Sequence, residues 1–127
     1  MSSPINDPDK AAKVFADDRA NVFHSWSAQA QISPMAIAGG AGSYFWDFTG
    51  KKYLDFSCQL VFTNIGHQHP KVIEAIKAQA DVLTTIAPQH ANEARNEAAK
   101  RIIEISGDKF KKVFFTNAGA DGVENAV

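Results

Sequence analysis

The chain has 127 residues, of which 45% are apolar and 21% are charged, and its formal net charge is −1. This composition indicates a soluble globular domain without a basic surface for nucleic acid or an anionic membrane, and its apolar runs are too short to span a bilayer. The N-terminus does not resemble a secretory signal, and a single cysteine, Cys58, fits the reducing cytoplasm.

The N-terminal half begins with a helical pattern and continues as an antiparallel ribbon. Apolar residues recur with helical spacing over residues 9–23. Short strand-like stretches follow over residues 34–58, and their aromatic residues alternate as in a strand with one packed face. The pair Thr49-Gly50 is typical of a turn between two strands. The pattern therefore predicts a hairpin with its turn at this pair.

The C-terminal half alternates helices with one short apolar run. Pro70 is well placed as the first residue of a helix. A second helix is predicted from about Ala91, with Gly107 as its C-cap. The run at residues 112–116 is typical of a buried parallel strand, and a last helix is predicted to begin within residues 121–127. This order of elements indicates an α/β or α+β protein.

The segment from Val113 to Glu124 is the most informative candidate for a binding site. A strand that turns through small residues into a helix leaves free backbone N–H groups where the helix carries partial positive charge, and both favour a phosphate. Gly119 and Ala120 have no side chain large enough to keep an anion from that backbone. A glycine at this point serves packing alone in many α/β proteins, so both interpretations stay open.

Three blocks of the sequence resemble the class III aminotransferases, a family of enzymes that depend on pyridoxal phosphate. The segment just described is similar to the cofactor-phosphate loop of the family, F-[TV]-N-S-G-S-E-A-x-E-x-A. Residues 42–55 resemble its early hairpin, G-x-x-x-x-D-x-x-G-x-x-Y-L-D, and residues 64–76 resemble its G-H-x-H-P-x-V-x-x-A-I signature. The blocks occur in the order of the family and reach from about residue 25 to the end of the chain.

The phosphate loop departs from the family pattern at several positions. Ala118 and Ala120 stand where the family has serines, and Asp121 stands where it has a glutamate. Ala120 therefore lacks a hydroxyl that commonly contacts the phosphate in the family. The resemblance implies that Ala118, Gly119 and Ala120 bind the cofactor phosphate mainly through their backbone.

The resemblance also implies a pocket for the side chain of the amine substrate. By position, Trp26, Leu60 and Val61 would shape that pocket. Many relatives carry a bulky aromatic residue where Val61 stands, so the pocket is expected to be roomier on that side. Trp26 is equally consistent with a residue that anchors the core.

His67 and His69 raise the question of a metal site, because they lie two positions apart. No third ligand is evident, and the resemblance implies that the pair forms a turn before the helix at Pro70. We therefore predict no metal site. Cys58 has no histidine in a fixed relation to it, so we predict a packed thiol rather than a nucleophile.

The implied architecture is fold type I of the pyridoxal-phosphate enzymes, an α/β fold with a mostly parallel sheet. Residues 1–70 are expected to form the N-terminal helix and ribbon of the small domain and its dimer contact. Residues 71–127 are expected to begin the large, cofactor-binding domain. The last predicted helix stops without a cap, which indicates a truncated chain that lacks the lysine binding the cofactor. No residue is therefore assigned a catalytic role.

The function implied by the resemblance is transfer of an amino group from an amine or omega-amino acid to a 2-oxo acid such as pyruvate. The expected cofactor is pyridoxal 5′-phosphate, the expected state is a cytoplasmic homodimer, and the 127 residues alone are expected to be inactive. Two other functions stay open. One is a non-catalytic, structural partner subunit of a larger assembly, and the other is a nucleotide-binding domain, although the G-x-G-x-x-G pattern is missing.

Overall fold

The computed structural model describes residues 6–107 and 109–127, which form two compact units. One unit extends to Asp81 and the other begins at Val82. Within the described ranges, no helix is long and apolar enough to cross a membrane.

The first unit begins with a helix and a three-stranded antiparallel ribbon. Helix α1 spans Pro8–Asn21, and the side chain of its N-cap residue Asp7 accepts a hydrogen bond from the backbone N–H of Lys10 at 2.9 Å. The strands pair in chain order, and they are β1 Ile37–Ala41, β2 Tyr44–Asp47 and β3 Lys52–Leu54. The predicted helix and the predicted hairpin are both confirmed.

Asp47 organises the turn between β2 and β3. One carboxylate oxygen accepts hydrogen bonds from the Thr49 hydroxyl at 2.7 Å and from the backbone N–H groups of Thr49 and Lys51. The other oxygen accepts from the Tyr53 hydroxyl at 2.8 Å. The bond from the Thr49 hydroxyl, with burial opposing it and the other bonds assisting, holds the pKa of Asp47 below 3.8. The bond to Asp47 raises the pKa of Tyr53 above 10.0.

Aromatic rings pack both faces of β2. Trp46 is 7% exposed, and a Cβ atom at Gly39 on β1 would lie only 3.0 Å from its ring, so a glycine leaves the space that the ring needs. Successive side chains of a strand point to opposite faces. On the other face, the ring of Phe45 stacks on Tyr53 with centroids 5.2 Å apart. The ribbon therefore has its own small core.

A short turn and a long helix complete the first unit. The turn, α2, spans Cys58–Val61, and helix α3 spans Pro70–Val82. Pro70 is the first helical residue, as predicted. An isolated antiparallel bridge joins Gly42 and His67, with N–H to carbonyl distances of 3.0 and 2.8 Å. This bridge attaches the segment before α3 to the end of β1.

The described residues of the second unit include two helices. Helix α4 spans Glu93–Ile105, and the side chain of its N-cap residue Asn92 accepts from the backbone N–H of Arg95 at 3.0 Å. Gly107 follows the helix with φ +68°, which confirms the prediction that a glycine ends this helix. Helix α5 spans Gly119–Glu124 and begins before the predicted position.

The apolar run at residues 112–116, which is typical of a buried parallel strand, forms no strand in the described chain. Phe114 is 74% exposed and Phe115 is 43% exposed, and no ladder to this stretch occurs among the described residues. A strand needs a neighbour that accepts and donates its backbone hydrogen bonds. The three strands of the described chain pair only with one another. An apolar run alone does not provide such a neighbour.

Candidate functional site

The predicted phosphate loop lies at the start of α5, in the second unit. Ala118 is the N-cap residue, with φ −145° and ψ 160°, and its methyl group makes no capping hydrogen bond. Helix geometry leaves the N–H groups of Gly119, Ala120 and Asp121 without an acceptor inside the helix. Backbone N–H groups of this kind are the donors that a phosphate requires.

Open space surrounds Gly119. Apart from its chain neighbours and the backbone of its own helix, a Cβ atom placed on Gly119 would meet no atom of the described chain within 4 Å. A Cβ atom on Gly122 would instead lie 3.6 Å from the hydroxyl oxygen of Thr116. That hydroxyl donates to the Ala118 carbonyl at 3.2 Å. The Thr116 hydroxyl therefore lies near Gly122, whereas the space beside Gly119 is empty in the described chain.

The charges at this helix start limit how an anion could bind. Asp121 lies in the first turn of α5, where its carboxylate interacts favourably with the partial positive charge of the helix end. A phosphate at the same end would be repelled by this carboxylate. Ala118 and Ala120 offer no hydroxyl donor. Anion binding by these residues would therefore depend on backbone N–H groups alone.

The second set of predicted site residues lies on the turn α2, in the first unit. All four residues of the turn have positive φ, at 50°, 48°, 59° and 67° from Cys58 to Val61. This left-handed conformation costs an L-amino acid about 1–2 kcal/mol per residue. Leu60 is 84% exposed and Val61 is 80% exposed. The turn therefore presents two neighbouring apolar side chains while its backbone is held in an unfavourable conformation.

Asp55 contacts this turn from the end of β3. Its Oδ1 accepts the Gln59 backbone N–H at 3.2 Å and the Ser57 hydroxyl at 3.4 Å, and its Oδ2 lies 2.7 Å from His67 Nε2. The Asp55 side chain is only 3% exposed. Burial raises the pKa of Asp55, but the hydrogen bonds from His67 and Gln59 outweigh it and hold the pKa below 3.8. Asp55 is thus a buried carboxylate whose ionised form is favoured, and because an ionised carboxylate only accepts, this bond requires the His67 tautomer with its proton on Nε2.

His67 is itself held by packing and by its backbone. A Cβ atom at Gly40 would lie 2.9 Å from His67 Cγ, so the ring packs directly against the backbone of β1. Its ring and that of Phe45 are inclined at 61°, with centroids 6.3 Å apart. The bridge to Gly42 fixes its main chain. The implied turn before α3 is therefore present, and it also places a hydrogen-bond donor on Asp55.

The neighbouring histidine does not share this arrangement. His69 has its Nδ1 atom buried without a hydrogen-bond partner among the described residues. Within residues 6–107 and 109–127, no group of three or more His, Cys, Asp or Glu side chains could hold a metal ion. The Nε2 atom of His67 faces Asp55.

Trp26 lies after the end of α1, with φ 59° and a fully exposed side chain. An indole with full exposure has no packed neighbour, so the structure does not bring Trp26 against Leu60 or Val61. Sequence reasoning did not find the bond between Asp55 and His67, although it named both motifs that contain them.

Comparison with known proteins identifies relatives of one kind. The family model described as Aminotransferase class-III matches residues 26–127. The acetylornithine aminotransferase of Methanocaldococcus jannaschii is 39% identical over 94 residues, which cover 74% of this chain and 23% of that protein. The acetylornithine aminotransferase of Methanosarcina acetivorans is 36% identical over 114 residues, which cover 90% and 27% respectively. The chain spans about a quarter of the length of these curated relatives.

Solved structures show the same likeness. The taurine:2-oxoglutarate aminotransferase of Bifidobacterium kashiwanohense, in complex with PLP and glutamate, superposes with a TM-score of 0.87 at 38% identity, covering 91% of this chain and 26% of that chain. An S-selective transaminase from Arthrobacter sp. superposes with a TM-score of 0.83 at 34% identity, with the same coverage of 91% and 26%. This likeness confirms the predicted α/β fold of type I.

Proposed function

The chain belongs to the class III aminotransferases, and we propose that the whole protein transfers an amino group from an amine or omega-amino acid to a 2-oxo acid such as pyruvate. The observation that carries this proposal is the start of α5, where free backbone N–H groups adjoin the open space at Gly119. The names of two relatives, which specify acetylornithine and taurine, support a donor whose free amino group lies on a terminal carbon and not on the carbon that bears the acid group.

The proposed cofactor is pyridoxal 5′-phosphate, bound through its phosphate by the backbone of Ala118, Gly119 and Ala120. These residues fit a phosphate because they supply N–H donors and place no side chain over them. When bound, the cofactor supplies an aldehyde that accepts the amino group and a ring that takes up electrons. The contribution of this loop is to bind and orient the phosphate. The Asp121 carboxylate disfavours a second negative charge at the start of α5, so the phosphate would be held by hydrogen bonds from the backbone N–H groups.

The proposed substrate-side residues are Trp26, Leu60 and Val61. Exposed apolar side chains such as Leu60 and Val61 suit contact with the apolar part of an amine. Replacement of Val61 by Trp should lower kcat/KM for bulky amines about tenfold and leave small amines unaffected, because a pocket discriminates by shape. Val22→Trp, at another exposed valine, is the control. An equal loss for small and bulky amines would contradict the pocket role.

The proposal extends to the organisation of the whole protein. We assign residues 1–70 to the small domain and dimer contact and residues 71–127 to the start of the large domain of a cytoplasmic homodimer. The single cysteine supports a reducing compartment, and the net charge of −1 gives no sign of a basic surface for nucleic acid or an anionic membrane. Light scattering by the purified whole protein tests the dimer, and a monomer at micromolar concentration would contradict it.

The lysine that binds the cofactor is proposed to lie outside these 127 residues, which alone should be inactive. All lysines of the sequence stand in segments that resemble non-catalytic parts of the family. Borohydride reduction of the cofactor-loaded whole protein, followed by peptide mapping, locates the modified lysine. Modification of any lysine between Lys10 and Lys112 would contradict this assignment.

The test of the function is amino transfer by the whole protein loaded with cofactor. Omega-amino acids, taurine and simple amines are offered as donors, and pyruvate and 2-oxoglutarate as acceptors. Formation of alanine or glutamate with an omega-amino donor supports the proposal. Absence of transfer with every pair, despite bound cofactor, would favour the non-catalytic partner subunit instead.

A further inference from the structure

The left-handed turn α2 needs support from outside itself. It contains four consecutive non-glycine residues with positive φ, and one of them, Val61, is β-branched. Left-handed conformations of L-residues normally occur singly. The bonds that close the turn, from Val61 N–H to the Ser57 carbonyl and from Thr63 N–H to the Cys58 carbonyl, join residues of the same short segment. Such local bonds do not attach the turn to the rest of the unit.

Asp55 provides the attachment. Its own backbone N–H donates to the Ser43 carbonyl at 2.9 Å, so Asp55 is fixed to the ribbon. Its Oδ1 accepts the N–H of Gln59, which lies inside the turn and has φ 48°. A buried carboxylate binds an N–H donor more strongly than a neutral acceptor does. The bond therefore favours the conformation in which the N–H of Gln59 points at Asp55.

His67 fixes the other oxygen of the same carboxylate. The Nε2 atom of His67 lies 2.7 Å from Asp55 Oδ2, and its ring is confined between Gly40 and Phe45. With Oδ2 fixed, rotation of the carboxylate away from Gln59 would break the bond to His67. We propose that Asp55 and His67 are positioning residues that together hold the left-handed turn Cys58–Val61 in place.

The consequence for catalysis rests on the proposed function, whereas the conformational role does not. The directions of the Leu60 and Val61 side chains follow from the backbone of the turn. If these side chains line the substrate pocket, Asp55 and His67 set its shape without contacting substrate. Loss of the pair should then raise KM for amines more than it lowers kcat, because the altered residues bind substrate and do not react with it.

Two substitutions at His67 separate its hydrogen bond from its packing. His67→Phe keeps an aromatic ring against Gly40 and Phe45 but cannot donate to Asp55, whereas His67→Gln keeps an N–H donor and removes the ring. Asp55→Asn preserves the side-chain volume and removes the charge. It therefore tests the same hydrogen bond if His67→Phe does not fold. Asp47→Ala is the matched control, because it removes another hydrogen-bonded carboxylate of the same ribbon.

The readout is the alkylation rate of Cys58, which lies in the turn and is partly exposed. Mass spectrometry of the tryptic peptide from Tyr53 to Lys71 measures it in the cofactor-loaded whole protein. We expect alkylation about tenfold faster in His67→Phe and in Asp55→Asn, because a charge-assisted hydrogen bond that closes the turn is lost. The rate should remain near that of the native protein in His67→Gln and Asp47→Ala.

The outcomes distinguish this inference from the proposed function. An unchanged rate in His67→Phe and Asp55→Asn, or an equal increase in Asp47→Ala, would overturn the positioning role whatever the enzyme does. An increase confined to His67→Phe and Asp55→Asn supports it. If that increase occurs while KM for every amine stays constant, the turn is held as proposed, and the pocket role of Leu60 and Val61 is overturned.

Discussion

Two segments of the chain differ in their local hydrogen bonding. They are residues 37–67 and residues 110–127. In the first, hereafter the ribbon segment, polar groups bond within the segment, as Asp55 and His67 do. In the second, hereafter the loop segment, Phe110 and Phe114 are 65% and 74% exposed, and the start of α5 has no side-chain cap. In the ribbon segment the carboxylates of Asp47 and Asp55 are held by several hydrogen bonds within the segment, whereas the start of α5 in the loop segment has no capping side chain.

This difference indicates what each segment contributes. A segment whose polar groups bond one another can hold a strained turn in one conformation. A segment with free backbone donors and open space can accept a ligand. Substitutions in the ribbon segment should therefore change stability or shape, and substitutions in the loop segment should change ligand binding.

The largest expected effect is on the cofactor affinity of the whole protein. Gly119→Val places a side chain in the open space beside the donors, so the Kd for pyridoxal phosphate should rise about a hundredfold through loss of hydrogen bonds to a charged group. Thermal stability without cofactor is the second readout, and it should change little if Gly119 serves phosphate binding and not packing. Spectroscopic titration measures the Kd.

Gly122→Ala is the control for this substitution. A Cβ atom at Gly122 would make an ordinary contact of 3.6 Å with Thr116, so the cofactor affinity should be retained. A fall in the thermal stability of Gly119→Val at unchanged Kd would instead assign Gly119 to packing. In that case the loop segment, like the ribbon segment, would contribute to stability and not to ligand binding.

A smaller effect is expected on the free energy of unfolding. Gly66 has φ +88°, and a Cβ atom there would lie 3.2 Å from the backbone of Gly42. Gly66→Ala should lower the free energy of unfolding by about 2–3 kcal/mol, because steric overlap adds to backbone strain. Gly107→Ala, at φ +68° in open space, should cost only about 1 kcal/mol. Denaturant unfolding of the whole protein compares them, and equal losses would show that close packing at the bridge contributes nothing.

The smallest effect concerns pH. The pKa of Asp47 in the folded protein lies below 3.8, so Asp47 contributes stability that is present above that pH and is lost as the pH falls through the lowered value. The pKa of Tyr53 lies above 10.0, so its contribution is present below that pH and is lost as the pH rises through the raised value. Asp47→Asn should weaken the pH dependence of the melting temperature on both sides.

Tyr53→Phe is the matched variant for this measurement. It removes the phenol, so it should abolish the alkaline contribution of this pair and leave most of the acidic one, which the Thr49 hydroxyl dominates. Thermal unfolding of the native protein and of both variants, recorded across the pH range, gives the comparison. An Asp47→Asn profile parallel to the native one at all pH values would contradict the role of the carboxylate.

Local chemistry was sufficient to predict the elements with strong end signals. Pro70 begins α3 because its fixed φ suits the first turn and its missing N–H is not needed there. Gly107 ends α4 because a glycine adopts positive φ without a clash. The turn at Thr49-Gly50 follows from the same freedom, and Asp47 then bonds to residues within six positions of itself. In each case the deciding interaction lies within a few residues of the signal.

The sequence by itself therefore determined helices α1, α3 and α4, the hairpin and the family. Only the tertiary structure decided that Asp55 bonds to His67 and that α2 is left-handed. Asp55 and His67 are 12 positions apart and meet only because the bridge at Gly42 returns the chain to β1. Bonds between distant segments depend on where the backbone goes, and no periodicity of residue types specifies that path.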